Sequence, residues 1–569
     1  MSDGLNLDQI GFQVTWSRLI TIADEVATTL ERTAFSNVVR DNHDYACALY
    51  DSDGEMLVQA TTSTPGQLGS MTRVIKDIMV EYPPSELNPG DIVITNDPWL
   101  GSGHTPDIYI VTPIFLDGSL VGFSVNSAHH IDIGGRLASP DARQVYEEGI
   151  ILPPMKLYDE GRENGDLFRL LRRNVRVSDK VIGDIRAQLA ANHVGSDRIC
   201  ELMRERGFRS LAGLSRRIFE QTEAALRSAI GEIPDGVYRH TLSLGQVDPA
   251  GKPLIMAVSL TVEGDSIEVD FTGTSDQIDR PVNCVYNITY AYTMYALKAA
   301  LCPEAPNNAG AMLPITLIAP EGSLLNATYP VAVMWRTDVV YFVVEAIFGA
   351  LEEVLPNNVM AGSGTYPLWL TIFSGKFDDG RAFVSHFNAS GGQGGRNASD
   401  GRSTLVFPGN IANTPVEILE VETPLLCEEK AFIPGSGGAG RHRGGLGQRA
   451  TIRNISESEV WATVVGGRFS EPPAGFAGGG SGSLGAVQLN DDPPLKKSAE
   501  IRLGPGDRLH FNLPGGGGFG DPAQRDPEAV LSDVRQGIVT EDEAARLYQV
   551  TIRDGAVDAA ATARLRGGG

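Results

Sequence analysis

The sequence is short of positive charge, of cysteine and of long apolar runs, and each shortage excludes a class of function. Lys and Arg number 47 against 71 Asp and Glu in 569 residues, a net charge of −24. Proteins that hold nucleic acid do so through basic patches that neutralise phosphates, so no nucleic-acid partner is expected. No stretch reaches the ~18 apolar residues a membrane span requires. The longest candidate, 339–351, is cut by Glu345. The opening MSDGLNLDQIGFQ lacks the basic segment and apolar run of a secretory signal, which predicts a cytoplasmic chain with no membrane attachment. The five cysteines (Cys47, Cys200, Cys284, Cys302 and Cys427) are odd in number, scattered and free of any CxxC pair. They read as buried or free thiols in a reducing compartment.

Several familiar motifs are missing too. There is no G-x-x-x-x-G-K-[ST] phosphate loop, no G-x-S-x-G elbow and no H-E-x-x-H pair. Gly435 to Gly440 (GSGGAG) fits G-x-G-x-x-G, but RHRGGLG follows where a dinucleotide fold needs a helix. Asn283-Cys284 has no neighbouring His and reads as a small buried thiol. Asp51-Ser-Asp-Gly54 lacks the ligand spacing of a calcium loop and reads as a hairpin turn.

Glycine is abundant: 65 residues, well above the usual share of about 7%. Length alone suggests three or four domains at roughly 150 residues each. Apolar spacing predicts a helix over 8–31, a hairpin over YACALYDSDGEMLVQA, a second helix over 71–80, and strands at 91–95, 108–115 and 120–127. A charged helical stretch covers 165–229, helices follow near 287–301 and 339–354, and strands with Gly-rich turns run from 360. The fold class is therefore α+β and multidomain. A mixed α/β N-terminal half carries a metal site on strand-end loops, and the C-terminal half is β-rich and Gly-rich. The pattern divides into 1–160, an α/β domain with metal-binding motifs; 161–236, a helical segment; 237–360, a mixed α/β domain; 361–525, a β-rich domain; and 526–569, a helical extension.

Of nine histidines, His104, His129 and His130 fall close together, accompanied by Asp97, Asp107 and Asp132. The strings TNDPWLGSGHTPDIYIV and VNSAHHIDIGG each place His and Asp three apart, His104 with Asp107 and His129 with Asp132, on loops beside the predicted strands. One His-x-x-Asp alone is more often a hydrogen-bonded structural pair. Two Gly-flanked copies 25 residues apart argue for a shared site. Neutral imidazole with carboxylate is the usual donor set for Zn²⁺ or Mn²⁺. Asp44, entering the hairpin, is placed to complete such a site.

These strings together resemble the hydantoinase B/oxoprolinase family. NDPWLGSGHTPD is similar to its NDP-x-x-GG-x-H-x-PD motif and AHHIDIGG to its HH-x-DIGG motif. The likeness continues in order through FTGTSDQ (271–277), PEGSLLN (320–326), GGQGGR (391–396), NTPVEILE (413–420), SGGAGRHRGGLG (436–447) and PGGGGFGDP (514–522). The resemblance implies one subunit of an ATP-dependent enzyme that opens cyclic amides such as hydantoins, 5-oxoproline and lactams. A hydantoinase A-like partner would bind ATP and Mg²⁺ and phosphorylate the amide oxygen. This subunit would carry one divalent metal ion, Zn²⁺ or Mn²⁺, on Asp44, His104, Asp107 and His129. His130 and Asp132 would be catalytic or support the ligands. A sister group of the family carboxylates ketones of the acetone and acetophenone type, which is the alternative activity. Assembly as a hetero-oligomer of repeated heterodimers is implied.

The chain departs from the family pattern in places. Asp41-Asn-His-Asp-Tyr-Ala46 stands where members often have Glu-Arg-x-Asp-Phe-Ser, Gln67 replaces a His before LGSM, and Gly435 replaces an Asp. The four implied ligands are unaffected.

Overall fold

Every side chain of β1 (Tyr45–Asp51) is buried, as happens when helices cover both faces of a strand. In this computed structural model, which describes residues 7–248 and 250–567, β1 lies inside a seven-stranded sheet. The sheet also contains β2 (Met56–Gln59), β3 (Ile92–Thr95), β4 (Asp107–Leu116), β5 (Ser119–His129), β6 (Met155–Asp159) and β7 (Arg162–Glu163), in the order β2-β1-β5-β4-β3-β6-β7. All its pairings are antiparallel. The β1–β2 hairpin turns where the sequence places it. Asp51 Oδ1 accepts from the N–H groups of Asp53 and Glu55, both at 3.0 Å.

The two-residue period of a strand sorts side chains to opposite faces. Tyr45, Cys47 and Leu49 pack among helices α1 (Gln9–Thr33), α5 (Ser178–Arg206) and α6 (Ala212–Ile230). Ala46, Ala48 and Tyr50 pack under α3 (Pro65–Glu81) with Leu68, Met71 and Ile75. A single turn of helix, α2 (Asn37–Arg40), leads into β1, and α4 (Gly165–Asn174) precedes α5. The charged helical stretch after 165 is thus built from three helices. α5 stops at Gly207, whose φ of +69° suits a left-handed cap.

Helix α3 begins six residues before the apolar spacing predicts it. Pro65 occupies its first turn, where a missing N–H is harmless and φ is already set. Gly66 and Gly69, poor helix formers, are there for proximity to α7 (Tyr286–Leu301). A Cβ on Gly69 would stand 2.5 Å from that of Ala291.

Strand β8 (Gly236–Val247) precedes β9 (Pro253–Glu263); β9 pairs antiparallel with β10 (Ser266–Asp270), and β10 pairs parallel with β11 (Ile315–Ile318). Contacts group the chain into two discontinuous units: Met1–Tyr238 with Ala257–Val343 and Gly409–Ile411, and Arg239–Met256 with Val344–Pro408 and Ala412–Gly569. In the second unit, β12 (Trp369–Lys376), β13 (Ala382–Ala389), β16 (Val460–Val465) and β18 (Ala499–Leu503) form one sheet. Strands β14 (Leu425–Phe432), β15 (Gln448–Asn454), β17 (Ala486–Leu489) and β19 (Arg508–Asn512) form another. Both feed one core, with Phe373, Phe387 and Val464 from the first and Ile452, Leu509 and Phe511 from the second.

The Gly-rich strings of this unit are extended segments packed backbone against backbone. Gly516 donates to Gly445 O at 3.0 Å and accepts from Gly438 N–H at 2.8 Å, and a Cβ on it would lie 1.9 Å from Gln393 O. Glycine is required there for space, and no helix follows GSGGAG, as the sequence indicates. Two short helices, α9 (Pro527–Arg535) and α10 (Glu541–Tyr548), follow the last strings. Among the described residues no helix is long and apolar enough to cross a membrane. Mixed helices and sheets without a barrel accord with the α+β expectation.

Candidate metal centre

Three of the four residues singled out as ligands come to one spot through strand register. Asp107 opens β4 and His129 closes β5, and the two are direct cross-strand partners. Both therefore lie within strands, where the sequence pattern predicts loops. Asp44 immediately precedes β1, and its carbonyl accepts the His129 N–H at 3.0 Å. All three fall on the α3 face, in phase with Ala46, Tyr109 and Val125.

His104 arrives from the loop between β3 and β4, and the loop's sequence accounts for its shape. Asn96 pins both sides, donating to Thr105 O at 2.6 Å and Ile150 O at 2.9 Å and accepting from Leu152 N–H at 2.6 Å. Asp97 caps the turn by accepting from Trp99 N–H at 2.9 Å. From α7, Asn287 grips the backbone carbonyls of Trp99 and Leu100. Gly103 has φ +81°, and a Cβ there would sit 2.9 Å from the Arg336 side chain.

His104 Nε2 lies 2.9 Å from Asp107 Oδ1, and His129 Nδ1 lies 3.2 Å from the same oxygen and 3.8 Å from Asp44 Oδ2. Ligand atoms of His104, Asp107 and His129 fall within 4.8 Å of one another. His104 Nε2 is buried and, despite its nearness to Asp107, is not aligned for a hydrogen bond. A buried ring nitrogen without a partner, converging with a second imidazole and two carboxylates, fits a divalent ion by donor chemistry.

The protonation states favour the same use. Burial, reinforced by the Arg336 guanidinium, pushes His104 down to about 3, so the imidazole is neutral at neutral pH. Burial alone would raise Asp107, but His104, His129 and Arg336 outweigh it and hold the carboxylate well below its usual range. Burial raises Asp44 to about 6 against the pull of His129. His129 moves above its ordinary value, because the hydrogen bond to Asp107 and the charge of Asp44 exceed the effect of burial.

His130 and Asp132 are not brought into this cluster. After His129 the next side chain falls on the opposite face of the sheet, where His130 Nε2 meets Gln188 Oε1 of α5 at 3.0 Å. Asp132 Oδ1 accepts from Gly134 N–H and from Arg176 Nη1, each at 2.9 Å, which ties down the chain after β5. The structure gives both residues supporting contacts away from the ligand atoms.

The cluster has members that the motifs do not announce. Arg336, just before α8 (Thr337–Leu351), is 5% exposed. It contacts Asp107 Oδ2 at 3.2 Å, Ser102 Oγ at 3.2 Å and His104 Nδ1 at 2.7 Å, and bonds Ser102 O as well. Ser102 in turn donates to Asp107 Oδ2. Buried Glu148 accepts from the N–H groups of Val333 at 2.9 Å and Met334 at 2.8 Å, fixing the turn that delivers Arg336. The rings of Tyr292 and Tyr341 lie 5.3 Å apart, centroid to centroid, and burial raises both phenols far enough to keep them protonated. Gln67, noted in sequence only as a departure, donates to Asp44 Oδ1 at 3.0 Å and Asp107 Oδ1 at 3.2 Å. Some of these residues lie more than 230 positions from His104, and only the fold gathers them.

The family model described as hydantoinase B/oxoprolinase matches residues 8–522. The B-type chain of a putative D-/L-hydantoinase from Pseudomonas sp. strain NS671 is 31% identical over 97% of this chain and 97% of its own. The crystal structure of ATP-dependent caprolactamase from Pseudomonas jessenii has TM-score 0.91 and 28% identity, covering 99% of this chain and all of that one. A nucleotide-free acetone carboxylase structure shares the fold, with TM-score 0.86 and 22% identity over 98% of this chain and 82% of that one.

Proposed function

The chain belongs to the hydantoinase B/oxoprolinase family, and from that membership we propose that it is the metal-dependent hydrolytic subunit of an ATP-dependent cyclic-amide amidohydrolase. The observation that carries the reading is the buried convergence of Asp44, His104, Asp107 and His129 with His104 Nε2 left unpartnered. A hydantoinase A-like subunit, expected in the cytoplasm beside it, would phosphorylate the amide oxygen with ATP and Mg²⁺. Nitrogen donation makes an amide carbonyl resist attack, and the phosphorylated form is the better electrophile.

A Zn²⁺ or Mn²⁺ ion held by the four residues would supply Lewis acidity and a nucleophilic water at neutral pH. The chain's own residues prepare for this. Binding through His104 Nε2 would move the ring proton to Nδ1, where Met334 O stands 3.3 Å away as acceptor and the Arg336 guanidinium, which only donates, would give up its 2.7 Å contact. Arg336 keeps the second oxygen of Asp107 occupied, so Oδ1 alone faces the histidines.

The test is co-expression with a hydantoinase A-like partner, followed by metal analysis and ATP-dependent turnover of a hydantoin and lactam panel, with and without labelled bicarbonate. Bicarbonate-independent ring opening by a complex holding one divalent ion per chain is expected. Label fixed into a ketone product would replace this reading with carboxylation. A complex that turns over without divalent metal would overturn the site.

A further inference from the structure

Gln67 uses its side-chain amide one-sidedly. Its nitrogen spans the carboxylates of Asp44 and Asp107, at 3.0 and 3.2 Å. Its Oε1 is buried with no hydrogen-bond partner among the described residues, and the residue is only 3% exposed. An unmatched buried carbonyl is a standing cost to the fold, and the backbone that carries it is fixed. Ser70 Oγ donates to its backbone carbonyl at 2.8 Å. A Cβ on the preceding Gly66 would already lie 2.9 Å from the Tyr292 ring.

The spacing of the amide is informative. Donor atoms ~2.0–2.2 Å from a common ion stand roughly 3.0–3.5 Å from one another, between octahedral and tetrahedral edges. The terminal atom of Gln67 is already at that spacing from two of the carboxylate oxygens proposed as ligands. A half-turn of the terminal amide exchanges nitrogen for oxygen without altering its outline.

We propose that Gln67 is a fifth ligand: when a divalent ion occupies the space between Asp44, His104, Asp107 and His129, the amide turns over and presents Oε1 to it. The orphaned carbonyl thereby gains a partner, and the metal–oxygen contact offsets the two N–H groups turned into its former place. The centre then carries two nitrogens and three oxygens from the chain. It favours an ion content with five or six neighbours over one confined to a tetrahedron. The inference rests on the metal reading above, and its test separates the two.

The full-length chain, stripped of metal by chelation, is titrated with CoCl₂ and followed by calorimetry and visible absorption. Tetrahedral Co²⁺ absorbs several-fold more strongly than five- or six-coordinate Co²⁺, so intensity reports the number of ligands. The wild type is expected to bind one equivalent with weak bands. Gln67→Leu is expected to bind about 10- to 100-fold more weakly with bands several-fold more intense, and Gln67→Glu is expected to restore weak bands. Gln67→Ala is read the same way if the Leu variant fails to fold. An unchanged spectrum in a metal-binding Leu or Ala variant, whatever its affinity, overturns the Gln67 ligand and leaves the four-residue site standing. No Co²⁺ bound by the wild type overturns both.

Discussion

Asp107 and His129 face each other in direct register across β4 and β5, with His129 Nδ1 3.2 Å from Asp107 Oδ1. The same Asp107 oxygen receives His104 from a loop, and the other oxygen is taken by Ser102 and Arg336. One carboxylate thus organises the whole cluster.

Replacing His104 by Ala removes a donor without leaving a charge behind. The variant is expected to fold, to copurify with less than about a tenth of an equivalent of divalent metal, and to lose more than about 100-fold in ATP-dependent turnover, beyond what an outer partner contributes. Metal analysis of the folded variant is the check; full metal content would place the site elsewhere.

Arg336→Met leaves Asp107 as a buried charge without its guanidinium partner. Loss of one member of such a pair costs about 3–5 kcal/mol, readable as a lower urea midpoint of the metal-free chain. Arg336→Lys returns the charge but not the fork that reaches Ser102, Asp107 and His104 together, and an intermediate midpoint is expected. A Met variant as stable as wild type would mean that Asp107 does not need the guanidinium.

Metal affinity should climb with pH. In the metal-free chain Asp44 holds its proton up to about 6, and His129 holds its own past the ordinary imidazole value. An incoming cation must displace both, so binding releases more protons at pH 5 than at pH 8. His104, pushed to about 3, contributes no release in that range. Calorimetry in two buffers of different ionisation enthalpy measures the release directly; equal release at both pH values would refute the assignment.

Glu148 makes stability fall as pH rises. Burial lifts its carboxyl from 4.5 to about 8, so the folded chain keeps a proton that the unfolded chain gives up between those values. Glu148→Gln cannot ionise and can still accept from Val333 and Met334. The variant's Tm should match wild type near pH 4.5 and exceed it increasingly toward pH 8. Glu148→Leu, which strands two N–H groups, should be less stable at every pH.

Gly516→Ala would drive a Cβ to 1.9 Å from Gln393 O, against backbone that is itself hydrogen-bonded. A loss of more than about 3 kcal/mol is expected, above ordinary overpacking. Gly380→Ala, at φ +86° in open space, should lose only about 1–2 kcal/mol from backbone strain. Comparing their Tm values separates packing from conformation.

Much of this is legible in sequence wherever the signal is local. Helix α1, the β1–β2 hairpin and α7 follow from apolar spacing and turn residues, and the two His-x-x-Asp strings mark the right neighbourhood. The start of α3 escapes the pattern because its first turn is chosen for contact with α7, not for helix propensity. His130 and Asp132 share strings with true cluster members, but alternation sends His130 to the α5 face. Arg336, Gln67 and Glu148 carry no motif of their own. Their importance exists only once β4, β5, α3 and the turn at 333–336 have met, and a string of letters does not encode that meeting explicitly.

Because Asp44, Asp107 and His129 stand at one level of three neighbouring strands, the centre inspects the alignment of the sheet. A slip of one residue along β5 would turn His129 to the α5 face and offer Ala128 or His130 in its stead. Such a chain could bury nearly the same apolar surface, yet it could not assemble the donor set. If the proposed site takes up a cation, that uptake would depend on strand register, and a misaligned molecule would stay empty.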